Sequence, residues 1–576
     1  MSKSISRWPL FLLTLAAGLL WAIIRIQPPV PLPATAPPQQ FSAARAMADV
    51  RVLARVPHPT GSAAGAAVIT HLESRLAALG FVTRRVVSPL PERAARRLAK
   101  WGGDPRASAI SLVAIRPGRD PAAPAIALMA HHDSVWASPG AADDIAGVAA
   151  ALEIARAIPQ AEQARDLVLI LTDAEELGLV GAAAVFAPGA SGDPVAARLG
   201  AVINLEARGG GGRTMMFQTG PNNGDLVRLL ASASPTAAAS SVAVTVYENL
   251  PNDTDFTPVL KRGLAGLNFA FIGEAWGYHS PLMTAERLEQ GALQHLGDSV
   301  LGITRALVTA DALPGPAPSA VFATAPLAGL IVYPPMAGWG LLAVTAGLLA
   351  LAAWWRRADW TMAGSLLSFG QALLTILIAG LLMFGLNLVS GSAGGEYYDR
   401  LAALPRLELV AGLAALAALL FCASAAAGSD WDRRLTFVKL CFVAALGVQI
   451  ALPGAGPVFA WPALLAALAV AISARLNGRA AAIVPALLAV PGLTLTAELA
   501  HFAFLGVGAP MPFACAPLLI PVLALTAPLL PFGPRKPALA GLVACVGAAF
   551  AVALWVNLDA PAPSVPPYAG NEKQQG

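Results

Sequence analysis

Cysteine is scarce and one-sided: the chain has four, Cys422, Cys441, Cys515 and Cys545, and none precedes position 422. The N-terminal part therefore holds neither a disulfide framework nor a cysteine-ligated metal, and any metal there must be taken by histidines and carboxylates. Charge is scarce as well. Only 12% of the residues are charged, against roughly 25% in ordinary soluble domains. Hydrophobic residues make up 56% and mean hydropathy is +0.63, so part of the chain belongs in lipid. A formal net charge of +4, from basic residues dispersed along 576 positions, leaves no electrostatic footprint for nucleic acid.

Lys3 and Arg7 precede an apolar run over residues 8–24, at the short end of the roughly 17–25 residues that cross a bilayer. Residues 1–26 read as a transmembrane signal anchor. A cleaved signal peptide is the rival, because Ala34, Thr35 and Ala36 offer small residues, although about ten positions past the run and behind Arg25. The proline-rich stretch 27–40 reads as an extended linker. Between 41 and 313, short β-type runs at 125–130, 166–172, 201–205 and 264–272 alternate with helical patterns at 144–158 and 285–309. That alternation predicts an α/β domain, with a mixed central sheet flanked by helices.

Residues 314–334 read as a second linker. From 335 to 557 eight apolar stretches follow, near 335–355, 362–390, 407–427, 435–452, 457–474, 481–505, 512–532 and 537–557, and a polar tail occupies 558–576. Backbone facing lipid must be satisfied within each segment, so this region is expected to be an all-α domain of eight transmembrane helices. With the N-terminus in the cytoplasm, the inner loops carry Arg356, Arg357, Arg433, Arg434, Arg475, Arg479, Arg535 and Lys536, and the outer loops only Arg400 and Arg406. The bias predicts that the α/β domain and the C-terminal tail lie outside. An alanine-rich composition and an anchor suit a bacterial inner membrane with a periplasmic domain.

Five fragments of the α/β domain place histidines or acids at or beyond the ends of expected strands, where open sheets gather ligands. In His131-His132-Asp133-Ser134, His131 is a candidate metal ligand and Asp133 can orient its other ring nitrogen; a histidine pair on a solvated loop is the plainer reading. In Asp143-Asp144, Asp143 can bridge two metals while Asp144 caps a helix, unless both are caps. In Asp173-Ala174-Glu175-Glu176, one glutamate can bind metal while the other takes a proton from water; an acidic first helical turn is the alternative. Glu206 ends an apolar strand, where a carboxylate is costly unless paired or metal-bound. In Tyr278-His279, His279 can be a second imidazole ligand and Tyr278 can present its hydroxyl to developing negative charge, or both can lie on a surface turn.

As an ordered set, HHDS, GAADDIAG, DAEELG, INLEA and YHS resemble the co-catalytic zinc aminopeptidase family, which includes leucyl aminopeptidase, aminopeptidase Y and glutamate carboxypeptidase. PHPTGS from Pro57, FQTGP from Phe217 and DTDF from Asp253 look like its endoplasmic reticulum metallopeptidase branch, which has an anchor, an outward peptidase domain and a C-terminal multi-span region. The resemblance implies a zinc-exopeptidase fold over 41–313 and two zinc ions per chain. It would make His131 a ligand of one zinc, Asp143 the bridge, Glu176 and Glu206 carboxylate ligands on opposite metals, and His279 the last ligand. Glu175 would be the general base, with Asp133 and Tyr278 completing the catalytic set. Glu206 stands where many members have aspartate, although that branch resembles this chain in having glutamate. The implied substrate is a peptide with a free terminus, favouring the α-amino end. Asp253 and Asp255 can attract an ammonium group, but an acidic turn explains them equally and they stay outside the set. The rivals are a single-zinc glutaminyl cyclase, an inactive receptor or scaffold, and a transporter centred on Glu498 and His501, three apart in one expected span.

Overall fold

Runs such as LVLILT, apolar up to the closing threonine and too short for a helix, belong in strands buried on both faces. In the computed structural model, which describes residues 7–394, 397–425, 428–476, 478–531, 535–559 and 561, they form the centre of a seven-stranded sheet. Its strands are β1 (Val82–Pro89), β2 (Ser108–Arg116), β3 (Ala125–His131), β4 (Leu167–Thr172), β5 (Leu199–Ala207), β6 (Met215–Thr219) and β7 (Gly266–Phe271), in the order β1-β2-β4-β3-β5-β7-β6. β3, β4, β5 and β7 run parallel, whereas β2 is antiparallel to β1 and β4, and β6 is antiparallel to β7. Every residue of β3 and β4 is buried; the edge strand β1 is mostly exposed.

Alternation along β3 and β4 splits the core in two. Ile126, Leu128, Leu169 and Leu171 pack with Leu152 of the Ile145–Ala157 helix and Leu296 and Val300 of the Gln290–Thr309 helix. Ala127, Met129, Val168 and Ile170 face the other way, toward Val185, Phe186, Phe256 and Val259. Because the four central strands are parallel, their C-terminal ends come together on one edge: His131 pairs with Thr172, and Ala207 with Phe271. The helix after β3 and the chain after β4 leave that edge in different directions, which opens a crevice at the switch in strand order.

This sheet belongs to one of two compact units, which comprises Gln27–Thr324 and Gly329–Val332. The proline-rich stretch, expected as a spacer, runs along it as an irregular strap. Leu32 donates its N–H to Gln294 Oε1 at 2.9 Å, and Arg45 donates to the carbonyls of Ala34 and Ala36 at 2.9 and 2.8 Å. Proline has no N–H to donate, so the strap offers carbonyls that arginines take up.

The other unit holds Met1–Ile26, Ala325–Ala328 and Tyr333–Ser564. The described residues include seven helices long and apolar enough to cross a membrane: Trp8–Ile26, Pro335–Trp355, Met362–Val389, Leu404–Ser424, Asp430–Ala451, Ala480–Val507 and Lys536–Leu558. By length and composition they make this a multi-pass membrane protein. All eight stretches expected after residue 335 contain helix, but Pro457–Ser473 and Pro512–Thr526 are shorter than the other six. Pro512 and Pro517 lie in the 3-10 turn Pro512–Leu518 that starts the latter, as proline's missing N–H and fixed φ favour. Within this unit Trp8–Ile26 packs on the Ala480–Ala503 helix, where Thr494 Oγ1 donates to Gly18 O at 3.2 Å and Arg25 pairs with Glu498. His501 lies 2.7 Å from Glu408. From residue 562 on, the expected tail lies outside the described residues.

Candidate metal centre

β3 delivers His131 to the crevice, and the turn after it fixes the ring. His131 Nδ1 donates to the backbone carbonyl of Asp133 at 3.0 Å, which leaves Nε2 facing Asp143 Oδ1 at 2.9 Å. That bond on one ring nitrogen leaves the other as the atom that could ligate a metal. Asp143 Oδ2 lies 3.0 Å from His279 Nε2, and His279 Nε2 lies 3.0 Å from Glu176 Oε1. One carboxylate therefore stands between two imidazoles with a second carboxylate beside it. His131, Asp143, Glu176, Glu206 and His279 are each 8% exposed or less.

The neighbouring acids have assignable structural tasks. Asp133 uses both carboxylate oxygens to accept the backbone N–H groups of Glu175 and Glu176, at 3.1 and 3.2 Å, so it also holds the turn after β4. Asp144 caps the Ile145–Ala157 helix by accepting from Gly147 N at 3.2 Å. A Cβ at Gly147 would sit 2.5 Å from the Asp144 carboxylate oxygens, so only glycine allows this cap. The other Asp144 oxygen accepts from His131 N. Glu206 is aimed by a buried amide chain: Asn204 Nδ2 reaches Glu206 Oε1 at 3.4 Å and Asn268 Oδ1 at 3.0 Å, and Asn268 donates to Gln218 and Thr254. His132 points elsewhere, with Nε2 3.1 Å from Ile110 O. Ala174 and His279 both have positive φ, 61° and 55°. Non-glycine residues held there carry strain that recurs at functional sites.

Candidate ligand atoms of His131, Asp143 and Glu176 all lie within 4.8 Å of one another, as do those of His131, Asp144 and Glu206. The acids outnumber the imidazoles, and the electrostatics record it. Burial raises Glu206 to about 8, helped by Asp143 and Asp255. Burial also lifts Glu175 well above the usual carboxylate range, with Glu206, Asp255 and Glu176 adding to it. Burial opposes charge on His279, yet Glu176 and Asp143 bring it to about 9. Asp143 goes the other way: despite burial, His131 and His279 hold it well below its ordinary value. Glu176 Oε1 is buried with His279 Nε2 at 3.0 Å beside it. Crowded buried carboxylates and two inward imidazoles need added positive charge, and this oxygen and nitrogen donor set fits a borderline divalent ion such as zinc.

Two residues outside the sequence-derived set join the site. Asp255 is buried, accepts from Thr172 Oγ1 and has no donor on Oδ1 among the described residues; burial brings it to about 6. Tyr247 ends the Ser241–Tyr247 helix with its ring edge-on to Phe217, centroids 4.7 Å apart. Its phenol is pushed up by burial, then by Glu206, Asp253 and Glu175, which puts it beside the acids. Asp255 sat in a fragment already singled out, whereas no motif surrounds Tyr247. Tyr278 stacks on His279 with ring centroids 3.7 Å apart, and Asp253 Oδ1 accepts from Thr257 in an exposed turn.

Part of this chain is similar to known proteins. Residues 111–304 match the profile of Peptidase family M28. Endoplasmic reticulum metallopeptidase 1 of Mus musculus is 37% identical over 199 residues, 34% of this chain and 22% of that protein. Vacuolar membrane protease of Yarrowia lipolytica is 33% identical over 202 residues, 34% of this chain and 20% of that protein. The matched segment thus spans about a fifth of the length of these relatives. Among solved structures, an aminopeptidase from Aneurinibacillus sp. strain AM-1 aligns with 49% of this chain and 98% of its own, at 14% identity and a TM-score of 0.37. Over residues 111–304, then, this chain is similar to Peptidase family M28.

Proposed function

We propose that this chain is a membrane-anchored di-zinc exopeptidase, an aminopeptidase that hydrolyses the first bond of a peptide with a free α-amino end. The observation that carries the reading is Asp143, whose two carboxylate oxygens lie 2.9 and 3.0 Å from His131 Nε2 and His279 Nε2. In this reading His131, Asp143 and Glu206 hold one zinc, and His279, Asp143 and Glu176 hold the other. When bound, zinc supplies Lewis acidity toward the scissile carbonyl and acidifies water.

The remaining steps belong to the chain's own residues. Glu175, fixed by the bond from its N–H to Asp133, takes the proton of the attacking water and delivers it to the leaving amine. Asp133 positions both this base and the His131 ring. Tyr278 and Tyr247 bring phenol donors to the negative charge that develops on the carbonyl oxygen. The parallel strand ends bury the centre, which excludes bulk water and strengthens each of these interactions. The domain is proposed to face the periplasm from a bacterial inner membrane, with the N-terminus cytoplasmic.

Glu175→Gln keeps the ligand set and removes the base. The variant is expected to retain wild-type metal content and lose roughly 10²–10⁴-fold in turnover, measured on matched peptides with free and blocked α-amino groups. Unchanged turnover removes Glu175 from its role, and cleavage of blocked peptides at the same rate removes the aminopeptidase assignment. Metal analysis of the purified chain is expected to give two zinc ions; one tightly held zinc favours the glutaminyl cyclase reading instead.

A further inference from the structure

Within the membrane unit, four separate segments bring basic side chains around a tryptophan. Arg7 precedes the Trp8–Ile26 helix, Arg356 follows Pro335–Trp355, Arg434 opens Asp430–Ala451 and Arg475 follows Pro457–Ser473. Arg356 and Arg434 both stack on Trp431, with guanidinium carbons 5.0 and 5.1 Å from the ring centre. Arg475 lies 4.4 Å from the ring of Trp355, and Arg356 Nε donates to Ala474 O at 3.1 Å, which joins these groups into one patch.

Acids cover the patch only in part. Asp430 accepts from Arg7 and Arg434 through a single oxygen, at 3.3 and 2.7 Å. Asp359 reaches Arg356 at 3.5 Å. Asp432 is spent on backbone, accepting from Thr361 N and Ser429 N. The Arg434 side chain is 6% exposed, and its Nε has no acceptor among the described residues. Four cations therefore share two free carboxylates at a partly dehydrated surface, and stacking on an indole holds two of them side by side despite their repulsion. The arrangement lacks an anion.

We propose that this patch binds the phosphodiester headgroup of an anionic glycerophospholipid. Guanidinium forks match phosphate oxygens in pairs, and basic pockets between membrane helices take anionic headgroups. A lipid is favoured over a soluble phosphate because the cations cap the ends of membrane-crossing helices and are interleaved with tryptophans, the aromatic residue enriched at headgroup level.

The test uses the full chain in detergent micelles, with phosphatidylglycerol or phosphatidylcholine added and bound lipid counted by native mass spectrometry. Wild type is expected to retain phosphatidylglycerol preferentially. An Arg7→Ala, Arg356→Ala double variant, which leaves the buried Arg434 in place, is expected to lose about fivefold in retention per cation removed. Arg406→Ala serves as the control, because Arg406 stacks 3.7 Å from the Trp555 ring with its charge met by Asp559 at the far end of its helix; it is expected to keep wild-type retention. Equal retention of the two lipids by wild type overturns the proposal, and this comparison stands even if the double variant does not fold. Displacement of phosphatidylglycerol by millimolar inorganic phosphate also overturns it, by making the site one for free phosphate.

Discussion

The proposed ligands hold protons that a metal would have to displace. Glu206 at about 8 and His279 at about 9 each carry one at pH 7, whereas a bound divalent cation needs the carboxylate and the neutral imidazole. Burial opposes charge on His131, yet Asp133 and Asp143 hold it well above its ordinary value, so zinc binding at pH 7 is expected to release at least two protons per chain, and affinity should rise with pH until these groups have lost theirs. Calorimetry in two buffers of different ionisation enthalpy reads the proton count, and pH-independent binding would contradict it. The same residues show what was legible in the sequence. His131, Asp143, Glu176, Glu206 and His279 stand at strand ends or in short motifs, and parallel strands bring such ends together whatever their separation along the chain. Asp255 and Tyr247 were not selected, because their approach depends on how 241–256 folds over the sheet edge, and nothing in their neighbours' identities encodes that.

Among the elements, the central strands were readable because burial on both faces demands unbroken apolar runs: the expected 125–130 and 166–172 became Ala125–His131 and Leu167–Thr172. The edge strands were not. β1 reads VTRRVVSP and is exposed along most of its length, so its sequence obeys solvent as much as the sheet. The Gln290–Thr309 helix carries a further consequence in His295, which is buried, bonded through Nε2 to Thr236 O, and lowered by burial and then by Arg213 to about 4. Its folded value lies below the ordinary 6.5, so between those limits the unfolded chain takes up the proton and the folded chain does not. This contribution is complete above pH 6.5 and is lost as pH falls toward 4, a difference of roughly 3 kcal/mol. His295→Gln is expected to flatten the stability profile across that window, read by denaturant titration at several pH values. In the membrane unit the close approach at Gly18 is the sensitive point, because an added Cβ would lie 2.7 Å from Leu493 Cβ. Gly18→Val is expected to cost about 1–3 kcal/mol by overpacking, seen as a lower melting temperature in detergent; an unchanged value would show that the two helices do not pack this way.

At the scale of the whole molecule, the chain carries separate interiors. One core is built on the sheet from residues such as Ile126, Leu152 and Leu296, and others are built among membrane helices from residues such as Phe437, Leu523 and Val470. Among the described residues, the groups that could hold a metal ion lie in the sheet unit. A ligand that binds the folded state alone stabilises the unit that holds it, by about 2.7 kcal/mol at a free concentration 100 times Kd. A domain of roughly 150–250 residues shifts by roughly 2–4 °C per kcal/mol and a larger one by less, so zinc should raise the transition of the sheet unit, Gln27–Thr324 with Gly329–Val332, by up to roughly 5 °C. Calorimetry of the full chain in detergent is expected to show two transitions, with chelation lowering one and leaving the other in place. His131→Ala and Asp143→Ala should lower the same transition even with zinc present and make it insensitive to chelator. If chelation moves both transitions together, the two interiors unfold as one cooperative body, and the membrane helices contribute to metal-linked stability through coupling that their separate cores do not predict.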